Sequence, residues 1–192
     1  MPATGPSPKA APGELELVRE FVNTNDVEDG IEDLATPEVL ADWMRGHGLE
    51  VGDSPLTKRD VSRAIALREG LRGLLLANGG EPLDAGAVET LNQAAARAGL
   101  RVSFGDDGDP SLQPAREGID GALAALLAIV FESMVEGTWP RLKACRADTC
   151  QWAFYDKSKN RSGHWCSMAV CGNRSKARDY RRRHRDTGKA KR

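Results

Sequence analysis

Residues 150–174 read "CQWAFYDKSKNRSGHWCSMAVCGNR" and hold three of the chain's four cysteines. The fourth, Cys145, stands just upstream, and none precedes it. The pattern is Cys145-x4-Cys150-x15-Cys166-x4-Cys171. Two cysteine pairs separated by a hairpin-length segment follow the general plan of a tetrahedral zinc site, each pair supplying one edge of the tetrahedron. The loops of four are longer than the commoner two-residue knuckle. Two disulfides and four unrelated thiols are the alternatives. Unrelated thiols would scatter along the chain, and disulfides require an oxidising compartment.

The N-terminal stretch "MPATGPSPKAAPG" is rich in Pro and small residues and lacks an apolar segment. It reads as a disordered leader over 1–13 rather than an export signal. The expected compartment is a reducing cytoplasm, with association with the nucleoid as a variant of it. Region 141–175 has few aliphatic residues, so it needs something besides a core to hold it together. Structural zinc supplies roughly 10–16 kcal/mol in zinc-finger peptides. Four thiolates leave no open coordination position, so the one Zn2+ expected here is structural, not catalytic.

Charge is segregated along the chain. The net charge is −1, yet residues 141–192 carry 16 Lys and Arg against four acids, a balance of +12. Residues 1–140 carry 11 bases and 24 acids, a balance of −13. A basic module of this density points to a polyanion: nucleic acid first, an acidic protein or membrane surface second. The acidic part is also able to fold back on the basic part and mask it. The longest nearly apolar run, Ala122–Phe131, is too short to span a membrane, and no membrane partner is expected.

The first 137 residues read as mainly helical. "LELVREFVNT" (15–24) mixes helix and strand signals. In "TPEVLADWMRGHG", Thr36 is the cap, Pro37 the first helical residue and Gly48 the stop, with Val39, Leu40, Trp43 and Met44 as the buried stripe. Thr57, with Asp60 three positions on, opens a second helix that Gly79 and Gly80 end. A third starts at Asp84, with Val88 and Leu91 inward. Residues 100–115 form a β-hairpin around "GDDGDP". "EGIDGALAALLAIVFESMVEG" is apolar almost all round and is placed at the centre of this domain. The predicted architecture is a mainly α domain with a small β-hairpin over 14–137. A C-terminal treble-clef or zinc-ribbon-like module with a basic helix follows over 138–187, then a basic tail over 188–192. The very short link near 137–140 implies that the two parts dock.

Around the metal, "QWAFYD" reads as a strand with "RLKAC" as its partner. Trp152, Phe154 and Trp165 are expected to pack the module, and "KSKNRSGH" is a polar basic loop. After Cys171 the sequence turns helical. At 100° per residue Arg174, Arg178, Arg181 and Arg185 fall at about 0°, 40°, −20° and 20°, one stripe roughly 60° wide. Ala177, Tyr180 and His184 lie beside the stripe and are expected to pack against the zinc hairpin. Four like charges in one stripe repel each other, an arrangement that makes sense where an anion occupies that face. The candidate nucleic-acid contacts are therefore Lys157, Lys159, Arg161, Arg174, Arg178, Arg181, Arg182 and Arg185. Asn173 is expected to brace the knuckle. No phosphate-cradling Gly loop and no nucleophile–base signature is present, so no catalytic residue is assigned and no enzyme activity is expected.

The segment from Cys145 to Arg174 resembles the CGNR zinc finger, whose name is spelled here by Cys171-Gly172-Asn173-Arg174. Upstream, "EFVNT", "LADWMRGHGL" and "LREGLRGLL" resemble the ABATE domain that precedes that finger in bacteria. The resemblance implies that Cys145, Cys150, Cys166 and Cys171 bind zinc. It further implies a stress-induced transcription regulator, or alternatively a zinc-ribbon-like protein that binds RNA. DNA is the expected ligand ahead of RNA, with a protein-interaction adaptor as a further alternative. An unknown ligand or protein is the expected partner of the N-terminal domain.

Overall fold

A computed structural model of the chain describes residues 10–189, with the side chains of Ala98 and of 185–189 outside the described set. Helix α1 (Leu15–Val22) settles the ambiguous first segment as helical. A two-stranded hairpin, β1 (Asn25–Asp26) with β2 (Ile31–Glu32), follows. Next come α2 (Pro37–Gly46), α3 (Lys58–Asn78) and α4 (Ala85–Ala98). The hairpin of β3 (Arg101–Phe104) and β4 (Pro110–Gln113) leads into α5 (Gly118–Val135). Beyond a 3-10 turn at Trp139–Arg141, β5 (Leu142–Ala144) pairs with β6 (Ala153–Tyr155). A π-helical turn at Met168–Gly172 then runs into α6 (Asn173–Lys189).

Local signals fix the helix starts. The Thr36 hydroxyl accepts from the Val39 N–H, and Pro37 occupies the first turn of α2. At α3 the Thr57 N–H donates to the Asp60 carboxylate at 2.8 Å while the Asp60 N–H returns to the Thr57 hydroxyl, a reciprocal cap. The Asp84 carboxylate accepts from the Gly86 N–H and opens α4.

The core gathers Phe21, Leu34, Leu40, Met44, Leu67, Leu71, Leu75 and Leu126, all fully buried. Leu142, Ala144, Ala153 and Tyr155 belong to the same cluster, so the β5–β6 hairpin completes the core that the helices begin. Helix α3 is the central element, packing against α4 on one side and β5 on another. The two parts of the chain do dock.

Two expectations are corrected. Val39 is exposed: α2 buries Leu40, Ala41 and Met44, and Trp43 lies half-buried between Phe21 and His47, its ring stacked on the imidazole at 4.0 Å. Helix α5 is not covered all round. Leu123, Leu126 and Val130 enter the core, but Phe131, Met134 and Val135 face solvent, because the elements packed on it reach one side only. By length and composition α5 could cross a bilayer, a test that the core helix of a globular protein also passes. Of the expected leader, residues 1–9 lie outside the described residues. At Ala11 the chain is tied down, its N–H donating to the Glu16 carboxylate at 2.6 Å.

Candidate metal centre and basic face

The first cysteine pair grows directly out of the β5–β6 ladder. The Cys145 N–H donates to the Trp152 carbonyl at 2.9 Å, extending the pairing by one step. The chain then turns tightly, with the N–H groups of Cys150 and Gln151 both donating to the Ala147 carbonyl. Gln151 takes a left-handed conformation (φ 50°) to complete the turn. The second pair is set by the π-helical turn. The Ser167 hydroxyl accepts from the Val170 N–H, and the Gly172 N–H donates to the Ser167 carbonyl at 3.1 Å.

These two turns bring the four sulfurs together. All four Sγ atoms lie within 4.8 Å of one another, with Cys150–Cys166 at 3.6 Å and Cys166–Cys171 at 3.7 Å. No disulfide joins them. Four thiolates about 2.3 Å from a zinc ion at tetrahedral angles stand about 3.8 Å apart, so the separations fit one ion at the centre. Trp152, Trp165 and Val170 pack around the sulfurs and shield them from water.

The four thiols lie close enough to set one another's ionisation. Hydrogen bonds from the Cys150 and Cys166 thiols hold the Cys145 thiol far below its ordinary range. The contact with Cys145 pushes Cys150 up, contacts with Cys145 and Cys150 push Cys166 up, and burial followed by the Cys145 charge pushes Cys171 up. A divalent cation removes the repulsion and allows all four to ligate as thiolates.

The letters of the CGNR motif take separate roles. Cys171 is a ligand. Gly172 lies under the Met168 side chain: an added Cβ would stand 2.7 Å from its sulfur and would have to push that exposed, flexible side chain aside. Asn173 braces the turn, its side-chain amide donating to the Ala169 carbonyl at 3.0 Å. Arg174 reaches across 146 positions to Glu28 at 2.5 Å.

A buried ion pair organises the basic loop, and sequence reasoning missed it. The Lys143 ammonium points inward from β5 and donates to the Asp156 carboxylate at 2.9 Å and to the carbonyls of Arg161 and Gly163. Asp156 also accepts from the N–H groups of Ser158 at 3.0 Å and Gly163 at 2.7 Å. Arg141 donates to the carbonyls of Asp156 and Ser158. Burial alone would raise the Asp156 carboxyl, but the hydrogen bonds from Ser158, Lys143 and Gly163 hold it well below the usual carboxylate range. The loop is therefore a closed ring of hydrogen bonds from which Lys157, Lys159 and Arg161 project into solvent. A signal was available: Asp156 is the only acid between Cys150 and Cys166.

Helix α6 departs from the expectation. Its packing is on the π-helical turn at its own start. Ala177 and Tyr180 are exposed instead of packed on the zinc hairpin, and the Tyr180 and His184 rings meet at 4.1 Å, tilted by 57° to each other. The helix leaves the module end-on, and its few apolar side chains bury too little surface to fold it back. Arg174, Arg178, Arg181 and Arg182 are exposed along it, with Arg182 beside Asp179. The side chain of Arg185 lies outside the described residues. No hydrogen bond or ion pair joins these arginines to Lys157, Lys159 or Arg161 among the described residues.

The helical part clamps this module with buried polar groups. Asn23 pairs with β6 as a strand would: its amide donates to the Ala153 carbonyl at 3.0 Å and its side-chain oxygen accepts from the Ala153 N–H at 2.7 Å. Arg72 donates to the carbonyls of Val22 and Gln151, both at 2.8 Å, and to Glu69. Arg68 holds Glu32 through both carboxylate oxygens and also reaches Glu69 and Thr24. The stretches "EFVNT" and "LREGLR" thus fix the first knuckle and the β1–β2 hairpin to α1 and α3. Sequence periodicity does not reveal this, because Arg68 and Arg72 on a helix ordinarily face water. Beside the clamp, Leu76, Glu81, Arg146, Asp148, Gln151 and Trp165 line an open cleft between α3 and the knuckle.

Residues 15–137 match the profile of the ABATE family, described as "Putative stress-induced transcription regulator". Residues 141–184 match that of the CGNR zinc finger. No curated protein matches the chain.

Proposed function

We propose that this chain, which belongs to the ABATE family and ends in a CGNR zinc finger, is a non-enzymatic cytoplasmic regulator that binds nucleic acid, with DNA preferred over RNA. The observation that carries the reading is α6: a helix standing clear of the zinc module, with Arg178, Arg181 and Arg182 exposed along it. An α-helix is about 10–12 Å across and the major groove about 12 Å wide, so such a helix suits duplex DNA. Recognition of unpaired bases needs accessible aromatic platforms. Here Trp152 and Trp165 are committed to packing the metal centre and Phe154 is buried, which leaves Tyr180 as the exposed aromatic ring of α6; the preference for DNA therefore rests on the fit of the helix to the groove. Lys157, Lys159 and Arg161, held on their rigid loop, add phosphate contacts.

Most of the affinity then comes from counterion release. With about six phosphates neutralised, log K falls with log[salt] at a slope near −5. Charge reversal at Arg178 and Arg181 weakens binding more than tenfold and flattens the slope by about two. Fluorescence titrations against duplex DNA and a structured RNA, at several salt concentrations, measure both. A slope near zero refutes the electrostatic reading. Unchanged binding after charge reversal favours the adaptor alternative, in which α6 docks an acidic protein.

A further inference from the structure

The β1–β2 hairpin carries four acids between Asn25 and Glu32, and they are used differently. Asp26 shapes the turn, its carboxylate accepting from the N–H groups of Glu28 at 3.0 Å and Asp29 at 3.1 Å. Glu32 is taken by Arg68. Glu28 and Asp29 remain at the exposed tip, and Glu28 is engaged by Arg174, at the start of α6.

This hairpin is anchored at its base. The Arg68–Glu32 pair holds one strand, and the Asp33 N–H donates to the Thr24 carbonyl at 2.8 Å just beyond it. Glu28 is therefore presented to α6 from a fixed base. Its carboxylate sits on the Arg174 guanidinium where a phosphate oxygen would sit, since both anions bind that fork in the same geometry. The Arg174 and Glu28 side chains keep 46% and 39% of their surface open, so a phosphate can reach the arginine without unfolding anything. The opposite charges of the two halves of the chain meet at this contact.

We propose that the β1–β2 hairpin is a built-in competitor for the polyanion: Glu28 occupies Arg174 in the unbound protein and is displaced when a phosphate takes its place. The proposal rests on the nucleic-acid reading above. It makes the hairpin a brake on the basic face. A cationic partner that draws Glu28 away releases Arg174 and strengthens binding.

The test compares binding of a short labelled duplex DNA by the wild type, Glu28→Gln and Asp29→Asn. The neighbouring Asp29 variant makes the same change in charge without the contact. Glu28→Gln is expected to tighten binding about two- to fivefold, the range of an exposed ion pair. The gain should exceed that of Asp29→Asn and shrink as salt is raised. It should also fall to the Asp29→Asn level when Arg174 is already glutamine. If Glu28→Gln leaves affinity unchanged or matches Asp29→Asn, while charge reversal at Arg178 and Arg181 still weakens binding, the brake is refuted and the nucleic-acid reading stands. If no variant changes binding, charge reversal included, the nucleic-acid reading falls and the brake with it.

Discussion

Cys166→Ser, or removal of the metal by a strong chelator, is expected to unfold the module from residue 141 onward and to lower the thermal midpoint of the whole chain by more than about 10 °C. Structural zinc supplies roughly 10–16 kcal/mol in finger peptides, against a total stability of about 5–15 kcal/mol for a typical domain. The structure argues for a wider effect. Leu142, Ala144, Ala153 and Tyr155 share a core with α1 and α3. The partners of Asn23 and Arg72, Ala153 and Gln151, lie within or beside the first knuckle. Once these leave, apolar surface on α3 and the Arg72 guanidinium lose their cover. At about 2–4 °C per kcal/mol for a chain of this size, a loss of several kcal/mol gives the stated shift. Circular dichroism and limited trypsin digestion measure it. An unchanged midpoint, or a C-terminal segment still protected from trypsin, contradicts the account.

Asp156→Ala is expected to cost about 3–5 kcal/mol, because it leaves the Lys143 ammonium buried without a counter-charge. The Lys143 and Asp156 side chains are 4% and 0% exposed, so water cannot compensate. Replacing both partners with apolar residues should cost less than Asp156→Ala alone, since no orphaned charge then remains. The pair also has a pH signature. The folded carboxyl is depressed, so its contribution is complete above the ordinary carboxylate value, near 4, and is lost as pH falls through the folded value. Denaturant unfolding in the presence of zinc should therefore show the gap between wild type and Asp156→Asn narrowing only below about pH 4. A gap that is constant with pH, or a double variant as unstable as Asp156→Ala, contradicts this reading. In either single variant Lys157, Lys159 and Arg161 lose their rigid base, so nucleic-acid affinity should fall even where the fold survives.

Much of this was legible in the residues, and the reason is locality. Caps at Thr36, Thr57 and Asp84 act within one turn of the helices they open. The cysteine spacing reports a closed site because a chain returning to a metal needs a hairpin of about that length. The pairing of "RLKAC" with "QWAFYD" follows from the same return. What stayed hidden depends on distant partners. Asn23 acts as a strand substitute for a residue 130 positions away, and Arg174 meets Glu28 across 146. Lys143 and Asp156 are ordinary charged residues until the loop closes over them. The helical wheel of α6 predicted which arginines share a stripe. It could not show that Arg174 is engaged by the acidic hairpin, or that Tyr180 stays in water, because the module supplies no surface for it.

X-ray absorption at the zinc edge of the purified protein tests the central claim most directly. One zinc per chain, surrounded by four sulfur ligands at about 2.3 Å, is the predicted result. A first shell containing nitrogen or oxygen, or a protein that keeps α6 and the basic loop ordered with no metal bound, would contradict it.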